Sequence, residues 1–242
     1  MNSPARAAMI AIAALALAHG AGAQVIDTAA AWDGSSHIAP FGQGIEADGG
    51  DTPTYGQTFR TPGPMMDLTS FTFWVDSVGG SGPTRFTGYV MEFDGNGVTG
   101  PVLFEGTEVS LAISQPTFPY VPSFTPITFN VPSLPLDAAK TYVAFLSAIP
   151  FFDGQDDTAN VGYLFADTYA DGGFWFSPAR TWDDLIGEEW ENFIGGGTRD
   201  LVFQATFSTV PEPATFAVVG AIALGALIVA RRLRVRRDRR TF

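Results

Sequence analysis

The chain has 242 residues, 46% hydrophobic and 16% charged, with 25 acidic against 13 basic side chains and a net charge of −12. It has no cysteine, which excludes disulfide staples, thiol nucleophiles and thiolate-bound metal, so stability must come from the core. Acidity of this size keeps a protein soluble by self-repulsion and turns it away from nucleic acid and anionic lipid.

Residues 1–23 read as a secretory signal peptide. Arg6 gives the positive start, residues 7–18 the apolar stretch, and Ala21-Gly22-Ala23 the small-residue exit, which makes Gln24 the mature N-terminus. His19 leaves with this segment. Between Gln24 and Ser208 only Arg60, Arg85, Lys140, Arg180 and Arg199 stand against 23 Asp and Glu, so the exported part is more acidic than the whole, at −18. Its length of about 185 residues suits one domain that buries close to 70% of its unfolded surface.

Short apolar or alternating runs separated by Gly, Pro, Asp and Ser predict an all-β fold for residues 24–208. Residues 25–30 and 55–60 are the less regular of the expected strands. In 68–75, Phe71, Phe73 and Val75 share one face, and Thr72 and Trp74 the other. Residues 84–93 alternate in the same way and are followed by a Gly- and Asn-bearing turn and the run 102–105, which predicts a hairpin. Residues 126–131 direct Ile127, Phe129 and Val131 inward, and 141–147 set Tyr142, Ala144 and Leu146 against Val143 and Phe145. The runs 161–166, 174–177 and 201–207 complete the set. Eight to ten such strands point to an antiparallel β-sandwich of jelly-roll type. One stretch differs: Thr181 is placed as an N-cap, with Trp182, Leu185, Ile186 and Trp190 at near-helical spacing. It predicts a short helix or ordered loop over one end of the sandwich.

The segment 209–242 carries three signals in sequence. Pro211-Glu212-Pro213 breaks regular structure, and residues 214–230 are uncharged and predict one short transmembrane helix. Arg231, Arg232, Arg234, Arg236 and Arg237 then stop transfer and keep the tail, 231–242, in the cytoplasm. Together with the signal peptide, this arrangement resembles the PEP-CTERM sorting signal of Gram-negative bacteria. The resemblance implies recognition of Pro211, Glu212 and Pro213 by an exosortase, a membrane protease. It also implies a precursor anchored in the inner membrane and release to the cell surface or the extracellular polysaccharide matrix. Residues 56–59, 68–73, 88–90, 100–103 and 136–146 are also similar to other ectodomains of that class, which implies a sandwich and no particular activity.

The exported part offers little chemistry. His37 sits in a polar turn without a G-x-S-x-G elbow, and a lone histidine without cysteine makes no zinc site. No phosphate loop or dinucleotide fingerprint is present. Calcium has two candidate loops. Asp94-Gly95-Asn96 with Glu105 departs from an EF-hand at the residues between them, whereas Asp153, Asp156 and Asp157 form a denser cluster of oxygen ligands. Trp175, Trp182 and Trp190, close in sequence beside acidic residues, are the candidate rings for stacking on sugars. The reading is a non-enzymatic surface or matrix protein without a cofactor. The alternatives are a carbohydrate- or calcium-binding module, and a hydrolase built on one of many carboxylate pairs, such as Asp183/Asp184 or Glu188/Glu189.

Overall fold

A computed structural model describes residues 23–44, 51–64, 66–114, 120–192 and 199–209. Residues 1–22 of the signal peptide, the Pro-Glu-Pro motif 211–213, the span 214–230 and the basic tail 231–242 lie outside the described residues, as does the glycine run 195–197. Among the described residues no helix is long and apolar enough to cross a membrane.

The strands are β1 (Gln24–Asp27), β2 (His37–Gly42), β3 (Thr54–Phe59), β4 (Met66–Gly80), β5 (Thr84–Phe93), β6 (Val98–Glu105) and β7 (Val109–Leu111). They continue with β8 (Thr125–Leu136), β9 (Thr141–Ser147), β10 (Asp157–Leu164), β11 (Phe174–Ser177), β12 (Asp200–Leu201) and β13 (Phe203–Thr209). Seven form one sheet in the order β1-β13-β4-β10-β12, with β2 beside β10 and β8 beside β4. Six form the other, β11-β3-β9-β5-β6, with β7 beside β5. The strand pairings are antiparallel and the two sheets pack as a sandwich.

Period-two alternation explains which face goes inside. In β4, Phe71, Phe73 and Val75 are fully buried between the sheets, and Trp74 faces away from them, half-buried. In β13, Phe203, Ala205 and Phe207 do the same, and in β9 Tyr142, Ala144 and Leu146 supply the facing layer. Phe129 from β8 reaches the opposite sheet, where a Cβ on Gly88 or Gly106 would come within 2.6 or 2.5 Å of its ring. Those two positions must be glycine for the ring to seat. The expected hairpin is present, since β5 pairs with β6 from Tyr89↔Glu105 to Phe93↔Val98. Pro126, Pro132 and Pro135 stud β8, whose described partner is β4 alone, and proline blunts a strand edge against further pairing.

Three departures from the sequence reading have physical causes. The strand expected at 161–166 runs instead from Asp157 to Leu164, because the polar start Asp157-Thr158-Ala159-Asn160 pairs with both β2 and β4. β2, His37–Gly42, has no apolar–polar alternation of its own and is placed by β10. The helix Trp182–Gly187 forms with Thr181 as N-cap, its hydroxyl accepting from the Asp184 amide at 3.2 Å, but it does not cover an end of the sandwich. It lies on the outer face of the six-stranded sheet. There Leu185 and Trp190 close a second apolar cluster over Tyr89, Met91, Phe93, Val143 and Phe145.

Candidate functional site

The three tryptophans singled out for sugar stacking are brought together around the second apolar cluster, Trp190 within it and Trp175 and Trp182 packed against it. Trp190 is 4% exposed, stands edge-on to Phe145 with centroids 5.3 Å apart, and donates its indole N–H to the Leu185 carbonyl at 3.1 Å. Trp175 lies 4.9 Å from Phe93, Trp182 lies 4.9 Å from Tyr89, and both are half-buried against the second cluster.

The acidic loop is dispersed into separate tasks. Asp157 is buried and accepts from the Gln43 side-chain amide at 2.8 Å, and burial pushes its carboxyl up. Asp153 is exposed, caps the Gln155 amide and lies 3.8 Å from Arg85. Asp156 offers its backbone carbonyl to the Ser81 amide at 2.7 Å. Nearby Asp51 accepts from the Thr158 hydroxyl at 2.5 Å, and burial raises its carboxyl too. No group of three or more metal-ligating side chains forms among the described residues. The Asp94 carboxylate receives the Asn96 and Gly97 amides at 2.9 and 3.1 Å, which is the hydrogen bonding of a hairpin turn.

A different group of rings assembles on the outer face of the seven-stranded sheet. Trp74 comes from β4, Trp32 from the segment that leads into β2, His37 from the start of β2, and Tyr120 and Phe124 from the segment that leads into β8. Ring centroids run from Trp74 to Trp32 at 6.5 Å, Trp32 to Phe124 at 4.9 Å, Phe124 to His37 at 6.1 Å and His37 to Tyr120 at 6.3 Å. Trp32, His37, Trp74 and Phe124 are half-buried and Tyr120 is 38% exposed, whereas Phe71, Phe73 and Phe203 on the inner face are at 0%. These rings therefore keep contact with solvent. Gly162 makes room for the arrangement, since a Cβ there would stand 3.4 Å from the Trp32 ring and 2.9 Å from Val202.

Polar groups fix this patch from behind. Asp76, 1% exposed, receives the Ser114 hydroxyl at 2.7 Å, the Tyr120 hydroxyl at 2.5 Å and the Ser123 amide at 2.9 Å. The Asn160 side-chain amide donates to the Tyr120 oxygen at 2.8 Å, so that hydroxyl is held from two sides. Burial, with the Asp76 carboxylate beside it, pushes the Tyr120 phenol up to about 12. Trp32 donates its indole N–H to the Ser36 carbonyl at 2.7 Å. Asp33 ties the same turn, receiving the Ser35 and Ser36 amides at 2.7 Å and the Ser36 hydroxyl at 2.6 Å, and these donors hold its carboxyl well below the usual range. His37 Nδ1 is 2.9 Å from the Ser35 carbonyl. A carbonyl only accepts, so Nδ1 carries the proton and Nε2 is the acceptor of the neutral ring.

The sequence reading missed this patch because its members are scattered from 32 to 160. The one available signal was Trp74, an aromatic on the polar side of a strand whose other side is entirely apolar.

No family model matches the chain, and no curated protein does. Two solved structures show a distant likeness. One is the cysteine protease and lectin-like domains of Cwp84, a surface layer associated protein of Clostridium difficile. It is 15% identical with a TM-score of 0.38, over 66% of this chain and 33% of that one. The other is a clostridial Cwp84 cysteine protease after propeptide cleavage, 14% identical with a TM-score of 0.42, over 66% and 36%. The chain thus spans about a third of the length of these proteins, and a likeness this distant carries neither ligand nor activity across.

Proposed function

We propose that this chain is an exported surface or matrix module that binds extracellular saccharide through the aromatic patch of its seven-stranded sheet, and that it is not an enzyme. The observation that supports this most is the contiguous series Trp74, Trp32, Phe124, His37 and Tyr120, solvent-touching rings in a domain whose other sheet face buries its phenylalanines completely. Planar rings bind the apolar faces of pyranoses, and rings locked in advance by Asp76, Asn160 and Ser36 lose little freedom on binding. The two carboxylates beside the patch serve structure: Asp76 holds Tyr120, and Asp33 holds a turn.

The delivery route in this reading is the one implied by the resemblance: signal peptide, Pro-Glu-Pro recognition by an exosortase, and release from the inner membrane to the surface. The test is titration calorimetry of the 24–208 chain against soluble cell-surface polysaccharides. Binding that falls at least about tenfold in Trp74→Ala and is unchanged in Ile186→Ala, an exposed residue on the opposite sheet, supports the patch. Binding indifferent to Trp74→Ala removes it.

A further inference from the structure

Resting on that saccharide-binding reading, we infer that the patch selects uncharged polysaccharide and rejects acidic, uronate-bearing chains. Every lysine and arginine between Gln24 and Ser208 is engaged with groups outside the patch. Arg60 donates to the Thr141 hydroxyl at 3.2 Å, and Arg85 to Glu108 at 2.7 Å. Lys140 donates to Glu92 at 2.5 Å. Arg180 donates to the Gly44 carbonyl at 2.9 Å and lies over Phe152. Arg199 donates to the Tyr163 hydroxyl at 3.3 Å and lies over Phe165. None of these partners belongs to the ring series. The acidic groups hydrogen-bonded within the patch are Asp33, on the Trp32–Ser36 turn, and Asp76, behind Tyr120.

The two carboxylates act differently. Asp76 is buried and already receives three protein donors, so it is a brace and not a ligand contact. Asp33 is exposed, and its donors keep it ionised, which sets a fixed negative charge at the rim. A uronate chain approaching Trp32 meets that charge with no arginine or lysine to pair with, and does so in the field of a domain at −18. A neutral hexopyranose brings hydroxyl donors that suit the His37 Nε2 acceptor and apolar ring faces that suit Trp32 and Trp74.

The experiment is affinity electrophoresis and calorimetry of the 24–208 chain, which contains every residue of both apolar clusters and so carries its own core. The polymers are an uncharged β-glucan, an uncharged galactomannan and a polyuronate, each at low and at high salt. The expected result is binding to at least one uncharged polymer, with the polyuronate weaker by about tenfold or more at low salt and part of that gap closing at high salt. Asp33→Asn, whose amide oxygen can still accept the Ser35 and Ser36 amides, is expected to narrow the gap between the polyuronate and the uncharged polymers at low salt. Polyuronate binding equal to or tighter than neutral binding, through a patch that still needs Trp74, overturns the selectivity while leaving saccharide binding intact. Binding to none of the polymers, or binding that survives Trp74→Ala, overturns the underlying reading and the selectivity with it.

Discussion

Asp200 and Asp76 are both buried carboxylates on the seven-stranded sheet, and each organises a different neighbourhood. Asp200, fully buried, receives the Gln57 side-chain amide at 2.8 Å, the Thr168 amide and hydroxyl at 2.7 and 2.8 Å and the Tyr169 amide at 2.9 Å. Gln57 in turn accepts the Leu201 amide at 2.8 Å, so one buried side-chain pair links the two sheets. Removing the acceptor strands several buried donors at once. Asp200→Ala is expected to lower stability by about 3 kcal/mol, read from urea denaturation with an unchanged slope. Asp76→Ala should act differently: it frees Tyr120 and the Ser123 amide, so saccharide affinity falls by more than stability does. Neither role was visible in the sequence, where each is one of 23 acidic residues and burial leaves no mark.

At the scale of elements, the segment from Arg180 to Glu191 is a strap. It leaves β11, forms the helix Trp182–Gly187, and returns to bridge Phe176↔Glu191, while the Trp190 amide donates to the Asn96 carbonyl at 2.7 Å. Its apolar side chains cover a sheet face that would otherwise expose Tyr89, Phe93 and Phe145. Trp190→Ala is therefore expected to cost about 3–5 kcal/mol, and Thr181→Ala about 1 kcal/mol through loss of the cap, both by denaturant melts. Trp74→Ala removes a half-buried ring and should cost clearly less than Trp190→Ala while weakening binding at least about tenfold. That contrast separates the two tryptophan groups. The sequence showed the strap as a helical spacing with an N-cap, because capping and 3.6-residue periodicity are local. Which sheet face it covers was not legible, because both faces of β5 and β9 carry apolar residues and both are buried.

At the scale of the molecule, the two ends of the sandwich differ. β1 and β13 are paired with Gln24 opposite Phe207, so these two residues lie side by side at one end of the strand pair. Thr28, bonded to Leu201 and Phe203, marks the other end of that strand pair, roughly five residues or about 17 Å away, and Trp32 follows directly.

Electrostatics make a prediction at this scale as well. Burial raises the carboxyls of Asp51, Asp157 and Asp200, so the folded state holds their protons more tightly than the unfolded chain. That stabilisation is present at acid pH and is lost as pH rises through the raised folded values. Asp33 and Asp94 are lowered by their hydrogen bonds and act in reverse, with stabilisation lost only as pH falls below the ordinary carboxyl value of about 4. Thermal melts at constant ionic strength should therefore show Tm falling as pH rises above the ordinary carboxyl value of about 4 through the raised folded values, and falling again in stronger acid. A Tm that rises steadily from pH 5 to pH 7 would contradict this assignment.

The sequence by itself determined the all-β class, the inward faces of β4, β8, β9 and β13, the β5–β6 hairpin and the capped turn of helix. Each rests on periodicity or turn chemistry within a few neighbouring residues. Only the tertiary structure decided that β2 joins β10, that Trp175, Trp182 and Trp190 close a second core, and that Trp32, His37, Trp74, Tyr120 and Phe124 meet. Those outcomes depend on contacts between residues tens of positions apart. No local pattern encodes them, because the free energy that brings them together belongs to the packed sheet and not to any single strand.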